Sequence, residues 1–196
     1  GLTKYYKALF AKPQIDKSSD SYRRSIDSLR SGNRVLPPTA AACGAPMTVE
    51  EVESTCHVLP ERKAPGPDRI PNKFYKVFAK IVAPILVEVI NESKEAGAFG
   101  ANFSDGHISV LYKKKDRDDP RNYRPITLLN GDFKIMQRVL AARMNIAVRQ
   151  FVSPCQNGFV PDGFIAENIM LLNLIQAHIE EEDEAAYFIF LDMEKA

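Results

Sequence analysis

No stretch of this chain approaches the ~20 consecutive apolar residues that a membrane-crossing helix needs. Pro84 and Glu88 interrupt the best candidate. The first ten residues lack the apolar centre of a signal peptide. Cysteine is scarce: Cys43, Cys56 and Cys155 are odd in number and far apart. They form neither a CxxC pair nor a disulfide framework, which points to a reducing compartment. His57, His107 and His178 also stand apart, with no HExxH spacing, so a zinc site of that kind is excluded. A net charge of only +1 over 196 residues names no partner, and no internal repeat occurs.

What is present is an ordinary globular composition, 45% apolar and 26% charged. The charge is unevenly placed. His107 to Arg149 holds ten Lys/Arg against four Asp, a local excess of +6, and Gln176 to Ala196 holds seven acidic residues against Lys195. A basic stretch beside an acidic one suits a phosphate-handling surface next to a metal-binding one. On charge alone, solvated helix faces explain both runs equally well, and the Glu180–Glu184 run is read as such a face. Gly1 in place of an initiating Met, and an apolar run that stops at Ala196, read as cut ends.

The periodicity predicts helices first. Leu2, Tyr5, Tyr6, Leu9 and Phe10 share one face up to Pro13, and Tyr22, Ile26 and Leu29 share another up to Gly32. Residues Leu36 to Pro46, rich in Pro, Ala and Gly, read as a linker. Thr48 followed by Glu51 is a capping box for a helix carrying Val52, Cys56 and Leu59. Lys63-Ala-Pro-Gly-Pro-Asp68 must be a rigid turn. Pro71 opens the next predicted helix, with Phe74, Val77, Phe78 and Ile81 inward, and Pro84 starts or kinks another ending near Gly97. His107–Tyr112 and Tyr123–Leu129, separated by a polar loop, make an antiparallel hairpin. Two long helices follow. Phe133, Met136, Val139, Leu140 and Met144 face inward on one; Ile165, Ile169, Leu172, Ile175 and Ile179 do so on the other. The run Ala186 to Leu191 has buried-strand length and ends on Asp192.

A carboxylate at the end of a buried strand sits where many α/β and α+β enzymes hold ligands. Polymerases use such carboxylates to hold two Mg²⁺ ions that activate the attacking hydroxyl and neutralise the leaving pyrophosphate. By itself Asp192 is better explained as an ordinary aspartate capping the following turn.

Several blocks in order change that balance. Phe190-Leu-Asp-Met-Glu-Lys-Ala196 resembles the first catalytic motif of reverse transcriptases. Asn122-Tyr-Arg-Pro-Ile-Thr-Leu-Leu129, with Lys134 and Arg143 after it, is similar to their NYRPISLL…K…R block. Lys63-Ala-Pro-Gly-Pro-Asp68 with Phe74-Tyr75-Lys76 resembles the KAPGPDG…FYK block of non-LTR retrotransposons. Gln156-Asn-Gly-Phe159 resembles their QxGF turn, and Ile108-Ser-Val-Leu-Tyr-Lys-Lys114 their apolar strand ending in lysine. Together the blocks cover Lys63 to Ala196, about two thirds of the chain. Two departures stand out. Arg69 replaces the glycine that usually follows GPD, so that turn is expected to avoid positive φ. Val160-Pro-Asp-Gly163 replaces a stretch that usually contains arginine and serine.

The resemblance implies an α+β chain, a fragment of the right-hand polymerase fold. Residues 1–60 would be a helical linker, and residues 61–196 the fingers and first palm strand. It implies an RNA-directed DNA polymerase with Asp192 catalytic, and Asp192 and Met193 at the metal position for Mg²⁺, two ions in the complete enzyme. Lys113, Lys114 and Arg124 would hold the incoming triphosphate, and Asn122, Tyr123 and Lys134 would touch nucleic acid. Its partners would be RNA template, DNA primer, dNTP and the remainder of the polymerase chain, without a membrane, in cytoplasm and nucleus. Arginine suits the clamp because its planar fork grips phosphate oxygens bidentately. On the residues alone, Arg124 could instead pair with Asp118, Asp119 or Asp132, and Tyr123 could pack beneath the hairpin. Because the aromatic-Ala-Asp-Asp block does not occur in these residues, the piece is expected to be inactive alone. The rival reading is a non-catalytic RNA-binding remnant of a decayed element. A group II intron maturase shares the expected fold, but the APGPD and NYRPITLL wording argues against it.

Overall fold

A computed structural model describes residues 1–11, 17–31, 34–183 and 185–192. Its helices are α1 (Leu2–Leu9), α2 (Asp20–Ser31), α3 (Pro37–Gly44), α4 (Val49–Val58), α5 (Asn72–Val77), α6 (Ala79–Ala96), α7 (Gly131–Phe151) and α8 (Ala166–Glu181). Between α6 and α7 lie two antiparallel strands, β1 (Gly106–Tyr112) and β2 (Tyr123–Leu129). The mixture of helices with one small sheet is an α+β arrangement, as expected. Pro13 and Gly32 lie outside the described residues.

Thr48 closes its capping box, accepting from Glu51 N at 3.3 Å while Glu51 Oε2 accepts from Thr48 N at 2.9 Å. Two orphan donors of the first turn of α4 are thereby satisfied. Val52 and Cys56 on this helix are fully buried. They meet Ala79 and Ala83 of α6 and Ile135 and Val139 of α7 in one core. Burial pushes the Cys56 thiol up to about 11, so it packs as a small apolar side chain. Tyr75, 4% exposed, joins from α5.

Residues Leu36 to Pro46 are not the expected linker. Leu36 precedes a helix with proline at its first positions, α3, where proline's fixed φ is an advantage. This helix is held to α7 by Gln150, whose Oε1 accepts from Leu36 N (2.8 Å) and whose Nε2 donates to Thr39 Oγ1 (3.1 Å).

The helix after Pro71 is also divided differently. It breaks at Phe78, and Pro84 lies inside α6 instead of starting it, with Gly97 as the left-handed stop. Phe74, Val77, Phe78 and Ile81 are exposed; Tyr75, Ala79, Ala83, Leu86 and Ile90 form the buried stripe. Both sets satisfy a 3.6-residue period. The small alanines allow α6 to approach α4 closely, which decides between them. On α7, Met136 and Val139 are buried as expected, whereas Leu140 and Met144 are 40% and 52% exposed, because Ile135 takes the central position. No residue of α8 is buried, and Ile165, Ile169 and Ile175 stand in solvent.

Candidate nucleotide and nucleic-acid interface

The hairpin pairs Gly106 with Leu129 and runs in register to Tyr112 opposite Tyr123. Lys113 N then donates to Asn122 O at 2.8 Å, closing the ladder one step past β1. Strand alternation puts Ile108 and Val110 on one face of β1, where Leu2 and Tyr6 of α1 and Phe10 just after it line the same cleft. Tyr6 fixes α1 there by donating to Tyr123 O at 2.9 Å. Arg124 sits opposite Leu111 on the other face, shared with Ile126 and Leu128.

The loop across the hairpin tip is braced by its own polar groups. Asn122 Nδ2 donates to Asp116 O (2.8 Å) and Tyr123 Oη to Arg117 O (2.9 Å). Tyr112 Oη donates to Lys115 O, and the Arg117 guanidinium lies 4.8 Å from the Tyr112 ring centroid. Asp119 pairs with Arg121 at 3.0 Å. The side chains of Asn122 and Tyr123 therefore hold the loop in shape. Lys113, Lys114 and Arg124 are exposed, and among the described residues no ion pair engages Arg124. Three cations are thus presented by a pre-formed strand pair, an arrangement suited to phosphate oxygens.

Lys134, half-buried on α7, lies at a different place. With Lys63 and Arg138 it rims a cleft of about 280 Å³ that also involves Leu128 and Asn72. Sequence reading gave Arg138 no role. Its spacing of four residues from Lys134 puts both cations on one helix face, a signal that could have found it.

Arg143, quoted in the same block as Lys134, is structural. Its Nε and Nη2 grip Glu51 at 2.7 and 2.6 Å, and its remaining donors reach the carbonyls of Ala45 (2.5 Å) and Pro46 (2.8 Å). The bonded guanidinium holds the Glu51 carboxyl below the usual carboxylate range, against an opposing push from burial.

Asp192 is not at the end of a buried strand. Residues 185–192 form no strand, and Tyr187, Ile189, Phe190 and Leu191 are exposed. A strand needs a partner for its N–H and C=O groups, and β1 and β2, the described strands, pair only with each other. Met193 lies outside the described residues. Among those described, no three His, Cys, Asp or Glu side chains gather as metal ligands. The described residues alone do not fit a two-metal site.

Residues 112–196 match the reverse transcriptase (RNA-dependent DNA polymerase) family. That segment, with Arg124 and Asp192 in it, belongs to this family. The wider chain is similar to proteins of non-LTR retrotransposons. It is 27% identical over 151 residues to a transposon TX1 uncharacterized 149 kDa protein of Xenopus laevis, covering 77% of this chain and 12% of the relative. It is 26% identical over 184 residues to a probable RNA-directed DNA polymerase from transposon BS of Drosophila melanogaster, covering 91% and 20%. To the RNA-directed DNA polymerase from mobile element jockey of the same fly it is 28% identical over 153 residues, covering 76% and 17%. The chain thus spans no more than a fifth of the length of these relatives.

Proposed function

We propose that this chain is the fingers and first palm segment of a right-hand polymerase that copies retrotransposon RNA into DNA in cytoplasm and nucleus. The observation carrying the proposal is the hairpin with Lys113, Lys114 and Arg124 exposed, inside a segment that matches reverse transcriptases. The relatives named as RNA-directed DNA polymerases support the same reading. In it, Lys113 or Lys114 and Arg124 hold the triphosphate of the incoming dNTP. Asn122 and Tyr123 keep the hairpin tip rigid and lie close enough in sequence to the clamp to meet the template. Asp192 and Met193 stand at the metal position, with further carboxylates needed from the remainder of the polymerase. Bound Mg²⁺ would supply charge neutralisation and activation of the primer hydroxyl.

Arg124→Ala in a complete polymerase carrying this segment tests the clamp. A charge-assisted contact is worth ~1.5–3 kcal/mol, so the nucleotide KM should rise roughly ten- to a hundredfold while template affinity stays nearly constant. A general RNA-binding patch gives the reverse: unaltered nucleotide dependence, weaker template binding and a salt slope shallower by about one. That second result would replace the polymerase clamp with the RNA-binding reading.

A further inference from the structure

In the cleft between the turn at Lys63 and the start of α7 only Lys134 has a role so far, an expected nucleic-acid contact, and three properties of the cleft go beyond it. Its rim carries three cations, Lys63, Lys134 and Arg138, and among the described residues none of them is in an ion pair. Its walls include Pro60 and Leu128, apolar surfaces of sugar size. Asn72, also in the wall, is 3% exposed. Its Nδ2 is committed to Pro60 O at 2.9 Å, and its Oδ1 is buried with no hydrogen-bond partner. The bond to a carbonyl fixes which end of the amide is oxygen, so the orphan is an acceptor. A buried amide oxygen without a donor is a standing cost, and such groups in folded proteins call for an explanation.

We propose that this cleft binds one ribose-phosphate unit of single-stranded RNA, with the phosphate on Lys63, Lys134 and Arg138 and a ribose hydroxyl donating to Asn72 Oδ1. The ligand must be anionic to satisfy the rim and must bring a donor to satisfy Asn72. A ribonucleotide backbone does both within one unit, whereas a deoxyribose backbone supplies the charge alone. A volume near 280 Å³ lies at the small end of ligand sites, roughly 300–1,000 Å³, and suits one unit better than a stacked duplex. Lys63 and Arg138 are exposed chains, so drawing them onto a phosphate costs rotamer freedom only. Leu128 of this cleft is four residues along β2 from Arg124 on the same strand face, about 13 Å away. One strand of RNA can therefore lie over both. The inference deepens the polymerase reading by naming where its template is held.

The test uses the unaltered 196-residue chain with a labelled single-stranded RNA and the DNA of the same sequence. RNA is expected to bind about two- to tenfold more tightly, the worth of one neutral hydrogen bond. It should protect Lys63 and Lys134, but not Lys4, from amine acetylation. Asn72→Leu should bring RNA and DNA to equal affinity. Should that variant not fold, the acetylation pattern of the unaltered chain decides alone. RNA binding that leaves Lys63 and Lys134 fully reactive overturns the cleft assignment and leaves the polymerase reading untouched. Equal protection and equal affinity with DNA overturn the ribose part. An unchanged nucleotide KM in Arg124→Ala would sink the polymerase clamp without bearing on these lysines.

Discussion

At the residue scale, the position that departs from sequence reasoning most sharply is Arg69. It was expected to avoid positive φ because it is not glycine; its φ is +60°. The turn around Pro67 and Asp68 is closed by Arg69 N donating to Gly66 O at 3.0 Å, with Asp68 Oδ1 accepting from Ile70 N. These bonds over-determine the backbone and hold arginine in the left-handed region, at a cost of roughly 1–2 kcal/mol. Arg69→Gly is expected to raise stability by about 1 kcal/mol, somewhat less after the entropy of the freer unfolded chain is counted. The urea midpoint measures it; a lower midpoint in the variant would refute the strain. Phe159 and Asp162, also at positive φ, stand directly beside Gly158 and Gly163, so the sequence marked those turns but not the residue bearing the unusual angle.

Arg143 supplies the second residue-scale prediction. Its side chain is 11% exposed and holds Glu51 and three backbone carbonyls, so Arg143→Ala leaves several acceptors without donors. The expected loss is about 2–4 kcal/mol. The hydrogen bond to Arg143 lowers the Glu51 pKa from its ordinary 4.5. Folding therefore disfavours protonation there. The resulting stability is fully present above pH 4.5 and is lost as the pH falls through the lower folded value. Urea midpoints at pH 7 and pH 3 should converge between wild type and Arg143→Ala; a gap that stays constant with pH would rule out the linkage.

At the scale of elements, the parts with local causes were legible. The Thr48–Glu51 capping box, the hairpin from the alternation around Tyr112 and Tyr123, and the end of α6 at Gly97 all follow from a few neighbouring residues. The parts decided by distant contacts were not. The phase of α6 depends on alanines meeting α4, and α3 exists because Gln150 and Arg143 of α7 satisfy its ends. The docking of the two quoted blocks on each other was equally invisible. Gly66 presses against Asn130, whose Oδ1 accepts from Asp68 N at 3.2 Å, and a Cβ at Gly66 would collide with the Asn130 backbone. Gly66→Ala must push the turn off the end of β2, at about 2–4 kcal/mol. Thermal unfolding checks it: a Tm within a degree of wild type would mean that the turn moves freely.

At the scale of the whole molecule, the candidate site divides into a part this chain builds and a part it does not. The cations proposed as the clamp sit on a hydrogen-bonded hairpin and can be read before any partner arrives. Asp192 was legible as chemistry from the Phe190 to Ala196 block, but its expected strand was not formed, since no described strand offers residues 185–192 a ladder. Nucleotidyl transfer by paired Mg²⁺ requires several carboxylates fixed together, and the described residues gather no such group. The isolated chain is therefore expected to give no extension of oligo(dT) on poly(rA) with Mg²⁺ and dTTP. A complete polymerase containing the same residues should extend the primer. Asp192→Asn, which removes a negative ligand at nearly constant volume, should slow it by ~10³-fold or more. Reproducible extension by the isolated chain, above the level of its own Asp192→Asn variant, would show that the exposed segment can assemble a working site unaided. A complete Asp192→Asn enzyme keeping more than about a tenth of its rate would remove Asp192 from the metal position.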